Sequence, residues 1–143
     1  FITSFAAPMF ATNCWIIADK PGGECIIVDP GMPDVSDTIS MIMNEHKLKP
    51  VAAIITHGHL DHCGQTGMLA QELGLPIEGP HEEDRFWIAQ LDDDGKRWGM
   101  DAKTFEPDRW LVDGDTVTVG NLTLDVIHCP GHTPGHVVFY HAP

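Results

Sequence analysis

The sequence predicts an α/β domain in which helices cover β-sheets, and three features of its 143 residues lead to that prediction. Strand-like segments alternate with helical ones in the first half of the chain, and short strands joined by tight turns dominate the second half. Hydrophobic residues make up 43% of the chain and charged residues 20%, a balance typical of a globular protein with a buried core. We therefore expect residues 1–143 to form a single domain.

Short apolar runs bounded by Gly, Pro, Asp and Asn predict the strands. The predicted strands are Asn13–Ala18, Glu24–Asp29, Val51–Ile55, Pro76–Glu78, Thr116–Val119, Leu122–His128 and Val137–Tyr140. The uninterrupted apolar character of the third run predicts a strand that is buried on both faces. A tight turn between the first two runs predicts a hairpin.

Apolar residues at helical spacing predict two helices. The first is Val35–Leu48, with Asp34 or Ser36 as its N-cap, and the second begins near His62 and ends at Leu73.

The acidic segment at residues 81–109 predicts an exposed helix followed by a loop. We expect Phe86, Trp87 and Trp98 to anchor this segment on the core, and its many carboxylates to form a solvated face. A calcium loop is not predicted, because the acidic residues lack the required alternating spacing.

The net charge of −13 argues against nucleic acid and anionic membranes as partners. No apolar run approaches the ~20 residues that span a bilayer, and the first residues lack the basic region of a signal peptide. A cytoplasmic protein with a small-molecule substrate is therefore expected. No cluster of Lys and Arg suggests a basic pocket for an anionic substrate. Position 1 is not Met, so we expect residues to precede it in the gene product.

The four cysteines lie at wide and irregular spacings, without a CxxC pair. We expect reduced and mostly buried thiols at Cys14, Cys25, Cys63 and Cys129. A metal or redox role stays open for the last two, because they lie close to histidine motifs.

A cluster of candidate metal ligands directly follows the predicted strand Val51–Ile55. The cluster has the pattern His-x-His-x-Asp-His and comprises His57, His59, Asp61 and His62. Because side chains alternate along an extended chain, the first two histidines face the same side. Asp61 and His62 follow at the start of the next helix and can face the same pocket. Clustered imidazoles repel one another when they are protonated, so a bound metal ion explains why they share one loop.

A second histidine motif, Cys-Pro-Gly-His-Thr-Pro-Gly-His, occupies positions 129–136. We predict His132 as a further nitrogen ligand from this loop. His136 either binds metal as well or, as we expect, fixes the loop by hydrogen bonds. Four other histidines have no such setting and are expected at ordinary positions: His46, His81, His128 and His141.

Imidazole nitrogen and carboxylate oxygen are ligands that suit zinc, iron or manganese. Three histidines with an open fourth position are typical of catalytic zinc, and His57, His59 and His132 can supply them. Asp61 and His62 would begin a second site, and two metal ions ~3.5–4 Å apart can hold a bridging hydroxide. We therefore predict zinc as the cofactor, with iron or manganese as alternatives.

The two histidine motifs resemble the signature motifs of the metallo-β-lactamase superfamily. Thr56–His62 and Cys129–His136 are similar in wording to its type II glyoxalase (hydroxyacylglutathione hydrolase) branch, especially the small bacterial single-domain members. Asn13-Cys14, Val28–Gly31 and the Asp113–Asp115 turn fit the same pattern. The resemblance implies an αββα sandwich with two metal ions at the sheet edge.

The resemblance also implies how the ligands divide between the metals. His57, His59 and His132 would bind the first ion, and Asp61 and His62 would bind the second. The family pattern adds a bridging Asp and a late His, and the sequence ends before either. We therefore expect the chain to lack the C-terminal third of the domain. Its last predicted strand would then leave an edge that pairs with another chain, giving low solubility or a strand-exchanged oligomer.

The predicted activity is the hydrolysis of a thioester by metal-bound hydroxide. Asp61 would orient the nucleophile or accept its proton, and the metals would stabilise the oxyanion. Glutathione thioesters such as S-lactoylglutathione are implied by the resemblance alone. Two alternatives stay open, an iron-dependent enzyme similar to a persulfide dioxygenase and an inactive metal-binding fragment. The lactonase, β-lactamase and nuclease branches share the first motif, but the acidic surface argues against a nuclease.

Overall fold

The computed structural model describes residues 1–6, 12–33 and 35–141. Its elements in chain order are β1 (Ile2–Ala6), β2 (Asn13–Ala18), β3 (Glu24–Val28), α1 (Val35–His46), β4 (Lys49–Ile54), α2 (Leu60–Cys63), α3 (Thr66–Leu73), β5 (Ile77–Glu78), a 3₁₀ turn (Glu82–Asp84), α4 (Arg85–Ala89), α5 (Leu91–Trp98), β6 (Thr116–Val119), β7 (Leu122–His128) and β8 (Val137–Tyr140). No helix in the described part of the chain is long and apolar enough to cross a bilayer.

The larger sheet has the strand order β1-β2-β3-β4-β5. It is antiparallel from β1 to β3 and parallel from β3 to β5. Val28 pairs with Ile54, so the carboxyl ends of β3 and β4 lie side by side. The loops that begin at Asp29 and Thr56 therefore leave the sheet at the same edge.

The smaller sheet is antiparallel, with the order β6-β7-β8, and packs against the larger one. Alternate residues of β3 divide the core in two. Ile26 and Val28 pack against Val117 and Val126 of the smaller sheet, whereas Ile27 faces the helices. Burying each such side chain contributes about 1.5–3 kcal/mol. Two facing sheets with helices on the larger one agree with the predicted sandwich, and no helix covers the outer face of the smaller sheet within the described residues.

Helix α1 buries Val35, Ile39 and Met43. It ends two residues earlier than predicted, because Lys47 adopts a left-handed φ of 56° and the amide of Leu48 then donates to the carbonyl of Met43. The N-cap candidate Asp34 lies outside the described residues, and Ser36 lies inside the helix.

The single helix predicted from His62 to Leu73 is wrong: the chain forms α2 and then α3. The interruption has a tertiary cause. The amide of Gln65 donates to the carbonyl of Gly31, and the Thr66 hydroxyl donates to the carbonyl of Pro30. The loop after β3 therefore accepts hydrogen bonds from donors near the start of α3.

Strand β1 was not predicted, because apolar and polar residues do not alternate regularly in Ile2–Ala6. In the structure its residues are alternately exposed and partly buried. The anchors predicted for the acidic segment are also partly wrong. Phe86 is 45% exposed and Trp98 is 56% exposed, whereas Ile88 and Leu91 are buried and hold α4 and α5 on the core. These helices are short, so single buried aliphatic residues suffice to attach them.

Candidate metal centre

Two loops meet at the carboxyl edge of the larger sheet. The first histidine loop, Thr56–His62, follows β4, and the second histidine loop, Cys129–His136, connects β7 to β8. The amide of Val137 donates to the carbonyl of Thr56 at 2.8 Å. This bond places the end of the second loop directly beside the start of the first.

The loops bring five imidazole rings together around His57. The centroid of its ring lies 5.1 Å from that of His59, 4.0 Å from His62, 4.9 Å from His132 and 4.5 Å from His136. Ligand nitrogens of His57, His59 and His132 all lie within 4.8 Å of one another. Residues that are far apart in sequence are thus close enough to share one metal ion.

A hydrogen-bond chain determines which nitrogen of His57 is free. The Thr56 hydroxyl donates to Asp29 Oδ2 at 2.6 Å. The hydroxyl oxygen of Thr56 also lies 2.9 Å from His57 Nδ1. Since the hydroxyl has one proton, its oxygen must accept from Nδ1–H, and Nε2 keeps a lone pair.

His57 Nε2 is buried and has no hydrogen-bond partner among the described residues. An unsatisfied buried acceptor costs about 1–3 kcal/mol, so native structures rarely contain one without a reason. A metal ion at this nitrogen supplies that reason.

Asp29 also orients His62. His62 Nδ1 donates to Asp29 Oδ2 at 2.8 Å, which leaves Nε2 as the acceptor, and Nε2 lies 3.7 Å from Asp61 Oδ2. Two atoms that each lie about 2 Å from one ion are separated by a distance of this order. Thr12 donates to Asp61 Oδ2 at 2.7 Å and holds that carboxylate in place. Asp61 and His62 therefore fit a second ion beside the first.

Asp84 joins the two histidine loops, and sequence analysis missed it. The side chain is completely buried and accepts from the Gly58 amide at 2.8 Å, the Gly135 amide at 2.7 Å and the Thr133 hydroxyl at 2.7 Å. The expectation that the carboxylates of this acidic segment form a solvated face is thus wrong for Asp84. Its neighbours Glu82 and Glu83 are exposed, as expected.

The glycines of both motifs allow this carboxylate to approach. A Cβ at Gly135 would lie 2.7 Å from Asp84 Cγ, and a Cβ at Gly58 would lie 2.9 Å from the Cβ of Trp87. Glycine at these two positions therefore allows the segment around Asp84 to pack closely against both histidine loops.

Electrostatics keep most of the cluster neutral. Burial, reinforced by the neighbouring imidazoles, lowers the pKa of His57 to about 2. Burial also lowers the pKa of His59 and of His136. Burial of His62 acts in the same direction, but the hydrogen bond to Asp29 and the nearby carboxylates outweigh it and raise the pKa of His62. Neutral imidazole is the form that binds metal, so the nitrogens of His57, His59 and His136 are available at pH 7.

Three of the remaining histidines, His81, His128 and His136, have other surroundings than the sequence predicted. His136 packs its ring on His57, but its side chain makes no hydrogen bond within the described residues, and Asp84 holds the loop instead. His81 and His128, expected at ordinary positions, stack with centroids 4.1 Å apart. Together with Glu83 they form another cluster of ligand-type atoms. Their nearly parallel rings, at 1°, do not aim their in-plane lone pairs at one point.

The four cysteines are free, as predicted, and only Cys129 is exposed. Burial raises the pKa of the Cys14 and Cys63 thiols and raises that of Cys25 to about 11. These three thiols stay protonated at pH 7 and are poor nucleophiles.

A surface pocket of about 300 Å³ opens beside the first histidine loop. Its lining comprises His59, Leu60, Asp61, Trp87, Asp94, Arg97 and Trp98. The sequence shows no cluster of basic residues, but folding places one arginine in this pocket.

The fold and the site together define a class of protein: a two-sheet α/β domain with a histidine- and carboxylate-rich candidate metal centre at the edge of its larger sheet. The chain belongs to the metallo-β-lactamase superfamily, whose sequence model matches residues 7–142. Members of this superfamily are generally metal-binding hydrolases.

Individual relatives agree with this assignment. The chain is 35% identical over 132 residues to the hydroxyacylglutathione hydrolase GloC of Haemophilus influenzae, covering 91% of this chain and 61% of GloC. It superposes on the B3 metallo-β-lactamase BLEG-1 with a TM-score of 0.81, 28% identity and coverage of 99% and 67%. A di-iron-bound structure, TTHA1623, gives a TM-score of 0.80 and 28% identity, with coverage of 97% and 66%. The chain thus spans less than two thirds of GloC.

Proposed function

We propose that this protein is a metal-dependent hydrolase that cleaves thioesters, with glutathione thioesters such as S-lactoylglutathione as the substrate class. One observation carries the metal dependence: His57 Nε2 is buried, keeps its lone pair and has no partner among the described residues. Similarity to GloC supports the thioester, since that relative is a hydroxyacylglutathione hydrolase. The substrate is therefore a small molecule, and we propose neither nucleic acid nor membrane as a partner.

We propose that His57, His59 and His132 hold one metal ion, because their ligand nitrogens converge. Asp61 and His62 would hold part of a second site, since their side-chain atoms lie 3.7 Å apart. Zinc is the proposed metal, and iron or manganese fit the same nitrogen and oxygen ligands. Residues 1–143 would act as one domain of a cytoplasmic protein.

When bound, the metal ions would lower the pKa of water and polarise the thioester carbonyl. The residues of the chain supply orientation and proton handling. Asp29 and Thr56 hold the rings of His57 and His62 so that Nε2 of each points into the site. The carboxylate of Asp61, held by Thr12, can orient the attacking water and accept its proton. Trp87, in T-shaped contact with His59 at 4.7 Å, places an apolar ring beside this ligand.

The decisive experiment measures the hydrolysis of S-lactoylglutathione by the full-length, metal-loaded protein. We expect turnover that is lost on chelation and in His59→Ala. His46→Ala is the matched control, because this ring packs on Phe1 away from the site and its loss should leave turnover unchanged.

Absence of turnover in protein that demonstrably holds metal would overturn the thioesterase proposal. Consumption of oxygen with a glutathione persulfide, in protein that contains iron, would then support the dioxygenase alternative. Neither reaction in a metal-loaded protein would leave a metal-binding domain without these activities.

A further inference from the structure

The pocket beside the first histidine loop has a composition that the hydrolytic step does not require. Its lining includes His59 and Asp61, which are themselves candidate metal ligands, and the apolar rings of Trp87 and Trp98. Among the described residues that line it, Arg97, at the end of α5, is the only Arg or Lys, and the carboxylates are those of Asp61 and Asp94. A volume of about 300 Å³ lies at the lower end of the range for small-molecule sites.

The guanidinium of Arg97 is available for a ligand. Its contact with Asp94 is 3.8 Å long, which is too long for a hydrogen bond. The Arg97 side chain is 73% exposed, whereas that of Asp94 is only 15% exposed. Asp94 therefore biases the position of the guanidinium at the pocket without occupying its planar set of donors.

Helix α5 is a fixed platform for this arginine. Leu91 is fully buried, and Asp92 accepts the amide of Thr104 at 2.9 Å. A Cβ at Gly95 would lie 2.7 Å from the carbonyl of Met100 and 2.9 Å from the Cβ of Ala102, so the following loop packs directly on the helix. The backbone that presents Arg97 is thus held on both sides.

Charge complementarity indicates what the arginine binds. The chain has a net charge of −13, so an anionic substrate is repelled by the protein as a whole. A carboxylate near the metal centre needs a local cation, and a guanidinium can bind it through two parallel hydrogen bonds.

We propose that this pocket is the substrate-arm subsite, in which Arg97 binds a carboxylate of the thioester while the tryptophans contact its apolar backbone. The proposal rests on the proposed thioesterase function and deepens it: the preferred substrates carry a carboxylate on the arm that extends from the scissile bond. Arg97 is then a specificity-determining residue and takes no part in the chemical step.

The test uses the full-length, metal-loaded protein and two matched substrates. One is S-lactoylglutathione, and the other is its diamide, in which both carboxylates are carboxamides. We expect Arg97→Gln to lower kcat/KM about tenfold for the carboxylate substrate, mainly through KM, and to leave the diamide unaffected. Lys96→Gln is the control, because it removes the same charge from an exposed neighbouring position that does not line the pocket.

A binding measurement separates the subsite from the reaction. S-methylglutathione, a thioether that cannot be hydrolysed, should quench tryptophan fluorescence and bind about tenfold more weakly to Arg97→Gln than to Lys96→Gln. Arg97-dependent binding without thioester turnover would retain the subsite and reject the proposed function. Thioester turnover with equal effects of Arg97→Gln on both substrates, or effects equal to those of Lys96→Gln, would overturn the subsite and leave the function intact.

Discussion

The two histidine loops are held in place by different means. In the first loop, two imidazoles make hydrogen bonds themselves: His57 Nδ1 donates to the Thr56 hydroxyl and His62 Nδ1 donates to Asp29. In the second loop, Asp84 binds a backbone amide and the Thr133 hydroxyl, and no hydrogen bond orients the ring of His132 within the described residues. The rings of His57 and His62 are thus oriented before metal binds.

This difference predicts that the two loops contribute unequally to metal affinity. Rings with a fixed tautomer and direction lose little freedom when they bind a metal, because neighbouring hydrogen bonds already orient them. The exposed ring of His132 must lose that freedom on binding. The first loop should therefore dominate affinity, while the second completes the coordination and depends on Asp84 for its position.

The largest effect is expected for Asp84→Ala, which separates the loops. Three buried donors, on Gly58, Thr133 and Gly135, would lose their acceptor at about 1–3 kcal/mol each. We expect the free energy of unfolding to fall by about 3 kcal/mol or more, measured by urea denaturation, with loss of hydrolysis.

Asp84→Asn keeps the volume and one acceptor oxygen, so its loss should be intermediate and measurable even where the alanine variant does not fold. Asp93→Ala, at an exposed position of α5, should change stability by less than about 0.5 kcal/mol. Equal stability of the Asp84 and Asp93 variants would show that the three hydrogen bonds do not hold the loops together.

Asp29→Asn tests whether ring orientation governs metal affinity. Asn tolerates the left-handed φ of 56° at this position, so the backbone should be preserved. The amide group cannot accept all the hydrogen bonds from Thr56 and His62, and we expect metal binding to weaken about 10–100-fold in titrations against a chelating dye. Asp19→Asn, which alters the carboxylate that accepts from the Asn121 amide far from the site, should bind metal normally. Unchanged affinity in Asp29→Asn would contradict the proposed preparation of the first loop.

Much of the fold was predictable because its signals are local. The strands that enter the sheet interfaces, such as β3 and β7, have apolar patterns that are visible in a window of a few residues. The gathering of His57 and His132 followed from strand alternation and from the position of both motifs next to strands. Their role as metal ligands stays a prediction.

The errors have a common physical origin in tertiary contacts. Asp84 lies in an acidic run that looks solvated, and only the packing of two distant loops buries it. The break between α2 and α3 depends on donors meeting carbonyls of the loop after β3. One signal was available: Gly58 and Gly135 recur inside the histidine motifs, and glycine at such positions indicates close approach by another group.

A matched pair of glycines in the second loop sharpens the comparison further. Gly135→Ala would place a Cβ within 2.7 Å of Asp84, whereas a Cβ at Gly131 meets nothing within 4 Å. We expect the first substitution to lower the free energy of unfolding by about 1–3 kcal/mol and the second to be nearly neutral. Thermal denaturation of the two variants checks this, and equal Tm values would show that Asp84 can move away without cost.

The smallest effect is the pH dependence of the metal-free protein. The pKa of His57 is about 2 in the folded protein and 6.5 in the unfolded chain. Below pH 6.5 the unfolded chain therefore binds more protons than the folded one. The free energy of unfolding therefore decreases as the pH falls, by about 1 kcal/mol between pH 6.5 and 5.5 from this residue. The raised pKa of His62 acts in the opposite direction, stabilising the fold at low pH and losing that contribution as the pH rises. Urea titrations of chelator-treated protein at the two pH values, compared with those of His57→Gln, isolate the contribution of His57 to the free energy of unfolding. A pH dependence that is unchanged in this variant would show that burial of the ring does not govern its protonation.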